Sequence, residues 1–125
     1  MSNPLQGVVV SHAMLARALV DAVAEITGQA DALVPVSNEG CSRAILAERL
    51  QEAVHSTPSV VFVDLPGGSC LQAALVYLRT HHDVAVVAGV NLAMLVDFVY
   101  HLDLTPAAAA QRATEVGGRA VKAVE

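Results

Sequence analysis

At 125 residues the chain has room for one domain with a real core, and 54% of it is apolar, mostly Ala and Val, with no Trp. The formal net charge is -5, Lys122 is the only lysine and the arginines are scattered, so no basic patch is offered and a nucleic-acid partner is not expected. The N-terminus lacks a basic signal-peptide start, and the longest apolar stretch, near Val84 to Val96, is interrupted by Gly89 and Asn91 and too short to span a bilayer, so a cytoplasmic protein is expected.

Leu5 to Val10 reads as a first strand that ends at Ser11-His12. Apolar residues at Met14, Leu15, Ala18, Leu19, Ala22, Val23 and Ile26 then follow helical spacing, and Gly28 suits the residue just past a helix end. Ala32 to Val36 is a second strand. Ser37 to Gly40 forms a loop with capping side chains, and Cys41 to Val54 is a second helix with Ile45, Leu46, Leu50 and Val54 inward. Val60 to Val63 is continuously apolar, as a strand buried on both faces should be, and Asp64 stands at its end. Pro66, Gly67 and Gly68 break the chain before a helix that begins near Ser69. Val84 to Ala88 is the fourth strand, Leu92 to Tyr100 a helix, and Leu104 to Val116 another, with Pro106 at its first position. Gly117-Gly118 is expected to end that helix, and Arg119 to Val124 to form a short last strand.

Strands alternating with helices predict a single α/β domain over residues 1–125. It is a small doubly wound sheet, with four parallel strands in order 2-1-3-4, helices on both faces and a C-terminal antiparallel edge strand. In that order the switch point lies between strands 1 and 3, whose ends carry His12 and Asp64.

A carboxylate beside a histidine accepts a hydrogen bond from one ring nitrogen and leaves the other as a nucleophile. Backbone N–H groups of the Gly67-Gly68-Ser69 turn, at a helix N-terminus, favour an anion there, so the suited electrophile is a phosphoryl group. No nucleotide-binding loop and no second acid for hydrolysis stand nearby, so the product is expected to be a phosphohistidine that is handed on. The same residues also admit a simpler reading, with His12 a satisfied strand-end histidine and Asp64 a helix cap.

Val8-Val-Val-Ser-His12, Phe62-Val-Asp-Leu-Pro-Gly-Gly-Ser69 and Val87-Ala-Gly-Val-Asn-Leu-Ala-Met-Leu-Val96 together resemble the IIA component of the mannose-type bacterial sugar phosphotransferase system, and the likeness extends to Gly118-Arg-Ala-Val-Lys-Ala123. The resemblance implies that His12 takes a phosphoryl group from the histidine-containing phosphocarrier protein and passes it to a separate IIB component. Asp64 would orient the ring, and Gly67, Gly68 and Ser69 would hold the phosphoryl oxygens. It also implies a homodimer in which the C-terminal strand pairs with the other subunit's sheet, no cofactor, and contact with the membrane only through the permease complex. Ala13 stands where the family usually has Gly, and Leu65, Pro66 and Cys70 depart from its pattern at the rim, where they bear on partner choice more than on chemistry. Two other roles are open to such a chain: a regulatory module read by its phosphorylation state, and the phosphoryl-donor subunit of a dihydroxyacetone kinase.

Cys41 and Cys70 are far apart in sequence with no metal spacing, and are expected to be reduced, partly buried thiols, although Cys70 follows the turn where a thiol can be reactive. His55 and His101 fall at helix ends, His81 and His82 read as solvated loop residues, and no metal site is expected from these four. Asn91 could shape the crevice rim, while Met14 and Met94 suit the core or a partner-facing surface.

Overall fold

Val8, Val9 and Val10 are all but completely buried, yet they do not share a core: Val9 faces one side of a sheet, Val8 and Val10 the other. This period-two alternation inside an unbroken apolar run is the mark of a strand covered on both faces. The computed structural model, which describes residues 4–29 and 31–125, orders the elements as β1 (Gln6–Ser11), α1 (Leu15–Thr27), β2 (Leu33–Ser37), α2 (Arg43–Val54), β3 (Ser59–Val63), α3 (Ser69–Thr80), β4 (Val84–Ala88), α4 (Leu92–Phe98) and α5 (Pro106–Ala120). The four strands form one sheet in the order β2-β1-β3-β4, every pair parallel. The α/β class, the strand order and the helices on both faces are as the sequence predicts.

On one face α1, α4 and α5 cover Val9, Val60, Phe62 and Val87. On the other, α2 and α3 cover Val8, Val10, Val61 and Val63. Phe62 meets Phe98 edge-on, with ring centroids 5.1 Å apart. That pair explains a glycine inside β1: a Cβ on Gly7 would lie 2.6 Å from Leu33 Cδ2 and 2.9 Å from the Phe98 ring. Ser42, Asn91 and Thr105 cap α2, α4 and α5, each accepting a backbone N–H with its side chain, and Gly28 closes α1 in the left-handed conformation.

The C-terminal end differs from expectation. Gly117-Gly118 does not break the last helix, which runs through both glycines to Ala120, and residues 121–125 form no strand within the single chain. Gly117 is there for closeness rather than for a turn. A Cβ on it would collide with the Met94 side chain and lie 3.2 Å from Asn91 Oδ1, while Asn91 Nδ2 donates to the Gly117 carbonyl at 3.0 Å. α4 and α5 therefore touch along the glycine.

The inward faces of two helices differ as well. α1 buries Ala16, Val20 and Val23, leaving Met14, Leu15 and Ile26 exposed, and α2 leaves Ile45 exposed. More of α1 is apolar than one face can bury, so periodicity did not single out the face. The close fit of Ala16, whose N–H donates to Ser11 Oγ at 2.6 Å, sets the helix rotation.

Candidate functional site

β1 and β3 are neighbours in exact register up to Val10 and Val63. The next residues along each strand therefore emerge side by side at the C-terminal edge of the sheet. His12 and Asp64 meet there through two hydrogen bonds to one carboxylate oxygen: the His12 backbone N–H reaches Asp64 Oδ2 at 2.9 Å, and the ring Nδ1 lies 2.7 Å from the same atom. The other oxygen, Oδ1, accepts the Leu65 N–H at 3.0 Å. An ionised carboxylate can only accept, so Nδ1 carries the ring proton and Nε2 keeps its lone pair. The Asp64 side chain is 8% exposed and the imidazole 43%, so the anchor is buried while the nucleophile faces outward. Burial by itself would raise the Asp64 carboxyl. The hydrogen bonds from the His12 backbone and ring outweigh it and hold the group below its ordinary value.

The Gly67-Gly68-Ser69 turn stands against the outward edge of the ring. Gly68 has a φ of 92°, and a Cβ built on it would sit 3.9 Å from His12 Cε1 and 4.0 Å from Nε2. No side chain caps the N-terminus of α3, unlike α2, α4 and α5. Its first-turn N–H groups are available to an outside acceptor beside Nε2. The predicted residues His12, Asp64, Gly67, Gly68 and Ser69 thus lie in one place.

A second clamp escaped the sequence reading. From the end of β2, Ser37 Oγ donates to the Ala13 carbonyl at 2.8 Å, and Asn38 Oδ1 accepts the Ala13 N–H at 3.3 Å. The signal available was the strand order, which puts the end of β2 beside that of β1; the sequence reading gave Ser37 and Asn38 only a capping role. The clamp holds Ala13 at a φ of 51°, a left-handed backbone that costs an alanine roughly 1–2 kcal/mol. Ala13→Gly removes that strain at the expense of unfolded-state entropy, so it is expected to raise stability by up to about 1 kcal/mol, read as a higher denaturant midpoint with an unchanged slope.

Several other residues sit elsewhere. Asn91 caps α4 and binds α5. His81 lies in the loop just past α3, as expected, half-buried with its ring stacked on Tyr77 at a centroid distance of 3.7 Å and its Nδ1 2.9 Å from the Tyr77 carbonyl oxygen. Met94 is core and Met14 is surface. Cys70 is fully buried under the site, with Sγ 4.0 Å from His12 Nδ1, and burial, together with the neighbouring Asp64 charge, pushes its thiol up.

Two clefts, of about 640 and 590 Å³, open at the opposite end of the sheet around Leu5 and Leu102, and neither is lined by His12 or Asp64. Met14, Leu15 and Leu65, close in sequence to His12 and Asp64, are exposed. A buried anchor, an outward nucleophile and exposed apolar side chains suit a reaction between two macromolecules better than the enclosure of a small substrate.

The chain is similar to known proteins over most of its length. The family described as "PTS system fructose IIA component" matches residues 6–114. The mannose/sorbose-specific IIA subunit of the phosphotransferase system from Enterococcus faecalis is 32% identical, with a TM-score of 0.81 over 100% of this chain and 96% of that one. A phosphotransferase system component EIIA from Streptococcus agalactiae shares the fold at a TM-score of 0.88 and 18% identity, covering 95% of this chain and 96% of its own. A sigma-54 interaction domain protein from Enterococcus faecalis shares it at 0.80 and 9% identity, covering 96% and 95%. No match was found among curated protein sequences.

Proposed function

This chain belongs to the family of the PTS system fructose IIA component, and we propose that within sugar phosphotransfer it works as a cytoplasmic phosphocarrier, taking a phosphoryl group on His12 from the histidine-containing phosphocarrier protein and passing it to a IIB component. The observation that carries this reading is the 2.7 Å contact of Nδ1 with Asp64, which leaves Nε2 as the free nucleophile beside an uncapped helix N-terminus. Nε2 attacks the phosphorus of the donor's phosphohistidine, a new N–P bond forms, and the donor's N–P bond breaks with its electron pair returning to the donor ring. Nδ1 keeps its proton on Asp64 throughout, so the positive charge that develops on the His12 ring is balanced by the carboxylate. The N–H groups of the Gly68–Ser69 turn receive the phosphoryl oxygens. The second transfer is the same step reversed onto the acceptor. Exposed Met14, Leu15 and Leu65 give donor and acceptor a common surface to dock on.

The direct test is incubation with the phosphorylated donor, then with a IIB protein. One acid-labile phosphoryl group per chain should appear and then leave. Label that never arrives, or that stays on the chain with every IIB tried, would overturn the carrier role.

Cys70 takes no part in this chemistry, because the phosphoryl group is received on the ring edge away from the sulfur. Cys70→Ser should transfer at close to the wild-type rate. A loss beyond about tenfold, or roughly 1.4 kcal/mol of barrier, would place the thiol in the machinery.

The homodimer is proposed from the tail and the sheet edge together. Val121 and Val124 are 76% and 87% exposed, and among the described residues β4 pairs with β3 alone, leaving its other edge open. Val87, Gly89, Met94, Gly117 and Val121 line a groove of about 220 Å³ beside that edge. A tail from a second copy would satisfy the open edge and bury both valines, in a two-fold arrangement. Light scattering on the full chain should give a dimer at micromolar concentration, and truncation after Ala120 should weaken it markedly. A monomeric full chain would overturn the dimer; a fully dimeric truncation would overturn the role of the tail.

A further inference from the structure

His12, Asp64 and Cys70 offer one nitrogen, one oxygen and one sulfur from three different elements, and the ligand atoms all lie within 4.8 Å of one another. The geometry points to a second occupant of the site: a divalent cation of the zinc class, held by His12 Nδ1, an Asp64 oxygen and Cys70 Sγ, whose binding excludes phosphorylation of His12.

The fit can be judged from bond lengths. Zinc takes nitrogen and oxygen at about 2.0 Å and thiolate sulfur at about 2.3 Å in a tetrahedron, which places the ligand atoms roughly 3.3–3.5 Å from one another. Nδ1 and Oδ2 are now 2.7 Å apart and Nδ1 and Sγ 4.0 Å. The first pair must open and the second close, each by about half an ångström, and the Asp64 oxygen and Sγ, which lie within 4.8 Å of each other, must close by up to about 1.3 Å. A rotation of the half-exposed His12 ring supplies the first two movements, a turn of the Asp64 and Cys70 side chains the third, and the exposure of the ring is the way in for the ion. Carboxylate and thiolate together neutralise the cation, so a buried sulfur that is costly to ionise alone is ionised here with its counter-charge in place. Nitrogen and sulfur donors favour zinc and cobalt over magnesium or calcium. Water completes the fourth position on the outward side.

The protons balance as follows. Asp64 is already ionised. Cys70 gives its proton to solvent, and the proton on Nδ1 leaves as the cation arrives while another is taken up on Nε2. That last change makes the two occupants exclusive: with the metal on Nδ1, Nε2 carries hydrogen and has no lone pair for phosphorus. With a phosphoryl group on Nε2, Nδ1 is protonated and held by Asp64. The exclusion rests on the function proposed above; cation binding does not.

The experiment uses the reduced, metal-free full chain. Titration with cobalt(II) should give a tetrahedral visible spectrum with a thiolate-to-metal charge-transfer band at one ion per chain, and zinc should displace it. Cys70→Ser and Cys70→Ala should each lose the charge-transfer band and weaken binding at least tenfold, whereas the double substitution of His81 and His82 by Gln should change neither, and magnesium should not compete. In the transfer assay, stoichiometric zinc should block phosphorylation of the wild type, reversibly with chelator, while Cys70→Ser still accepts phosphate at the same zinc concentration. A cobalt complex without the thiolate band, or zinc affinity indifferent to both Cys70 substitutions, overturns the site. Zinc binding with unaltered phosphorylation overturns the exclusion. A chain that takes no phosphoryl group even without zinc refutes the carrier reading and leaves the spectra to decide the cation site.

Discussion

His12→Ala should take up no acid-labile phosphoryl group from the donor, while its circular dichroism and melting stay close to wild type. Both halves follow from the geometry. The ring is 43% exposed and belongs to neither core, so its loss opens no large cavity. Asp64 keeps its backbone donors after the change, because the His12 and Leu65 N–H groups remain at 2.9 and 3.0 Å. What disappears is the one nitrogen with a free lone pair beside the uncapped start of α3. The other histidines do not share that arrangement: His81 is committed to Tyr77, and His101 Nδ1 lies 2.8 Å from the Asp97 carbonyl oxygen. Radiolabel from the donor, followed by mapping of the modified peptide, makes the measurement. Persistent acid-labile label on the variant would remove His12 from its role.

Asp64→Asn should slow transfer by about 10²–10⁴-fold, the range usual for groups that position and balance a proton in the transition state. The amide oxygen can take the place of Oδ2 and accept from the His12 N–H, but the NH2 then stands where Oδ1 accepted the Leu65 N–H, so one of the loop's two backbone bonds is lost. The amide no longer carries the charge that balances the ring as the phosphoryl group arrives. The wild-type carboxyl is held below its ordinary value of 3.8 by His12 hydrogen bonds that outweigh its burial. A depressed carboxyl contributes stability that is complete above the unfolded value and is lost as the pH falls through the folded one. The stability difference between wild type and Asp64→Asn should therefore be level near neutral pH and shift against the wild type only below about pH 4. Rapid-quench transfer and denaturant melts at several pH values separate the two effects. An unchanged transfer rate would show that Asp64 only braces the loop.

The strand order was readable because it depends on features local to each segment. Val60 to Val63 is apolar at every position, so it had to lie inside the sheet, and the helices on either side forced parallel crossovers. The meeting of His12 and Asp64 follows from that order alone, since each ends one of two neighbouring strands. Ala13 and the clamp of Ser37 and Asn38 were harder. A left-handed alanine leaves no trace in composition, and the clamp joins residues whose pairing depends on β2 and β1 ending level, as Ser11 and Ser37 do.

What the sequence determined by itself is the α/β sheet, its order, and the meeting of the His12 ring with the Asp64 carboxylate at the switch point, because strand burial and strand ends are written in runs of adjacent residues. Three things were decided only in the folded chain. α1 turned Ala16, Val20 and Val23 inward and left Met14 and Leu15 exposed, since packing, not periodicity, chooses among several apolar faces. Gly117 became a contact between α4 and α5 rather than a stop, since a glycine permits close approach as readily as a bend. Cys70 came to lie 4.0 Å from His12 Nδ1, although 58 residues separate them, because α3 starts where β3 delivers it, directly beneath the end of β1.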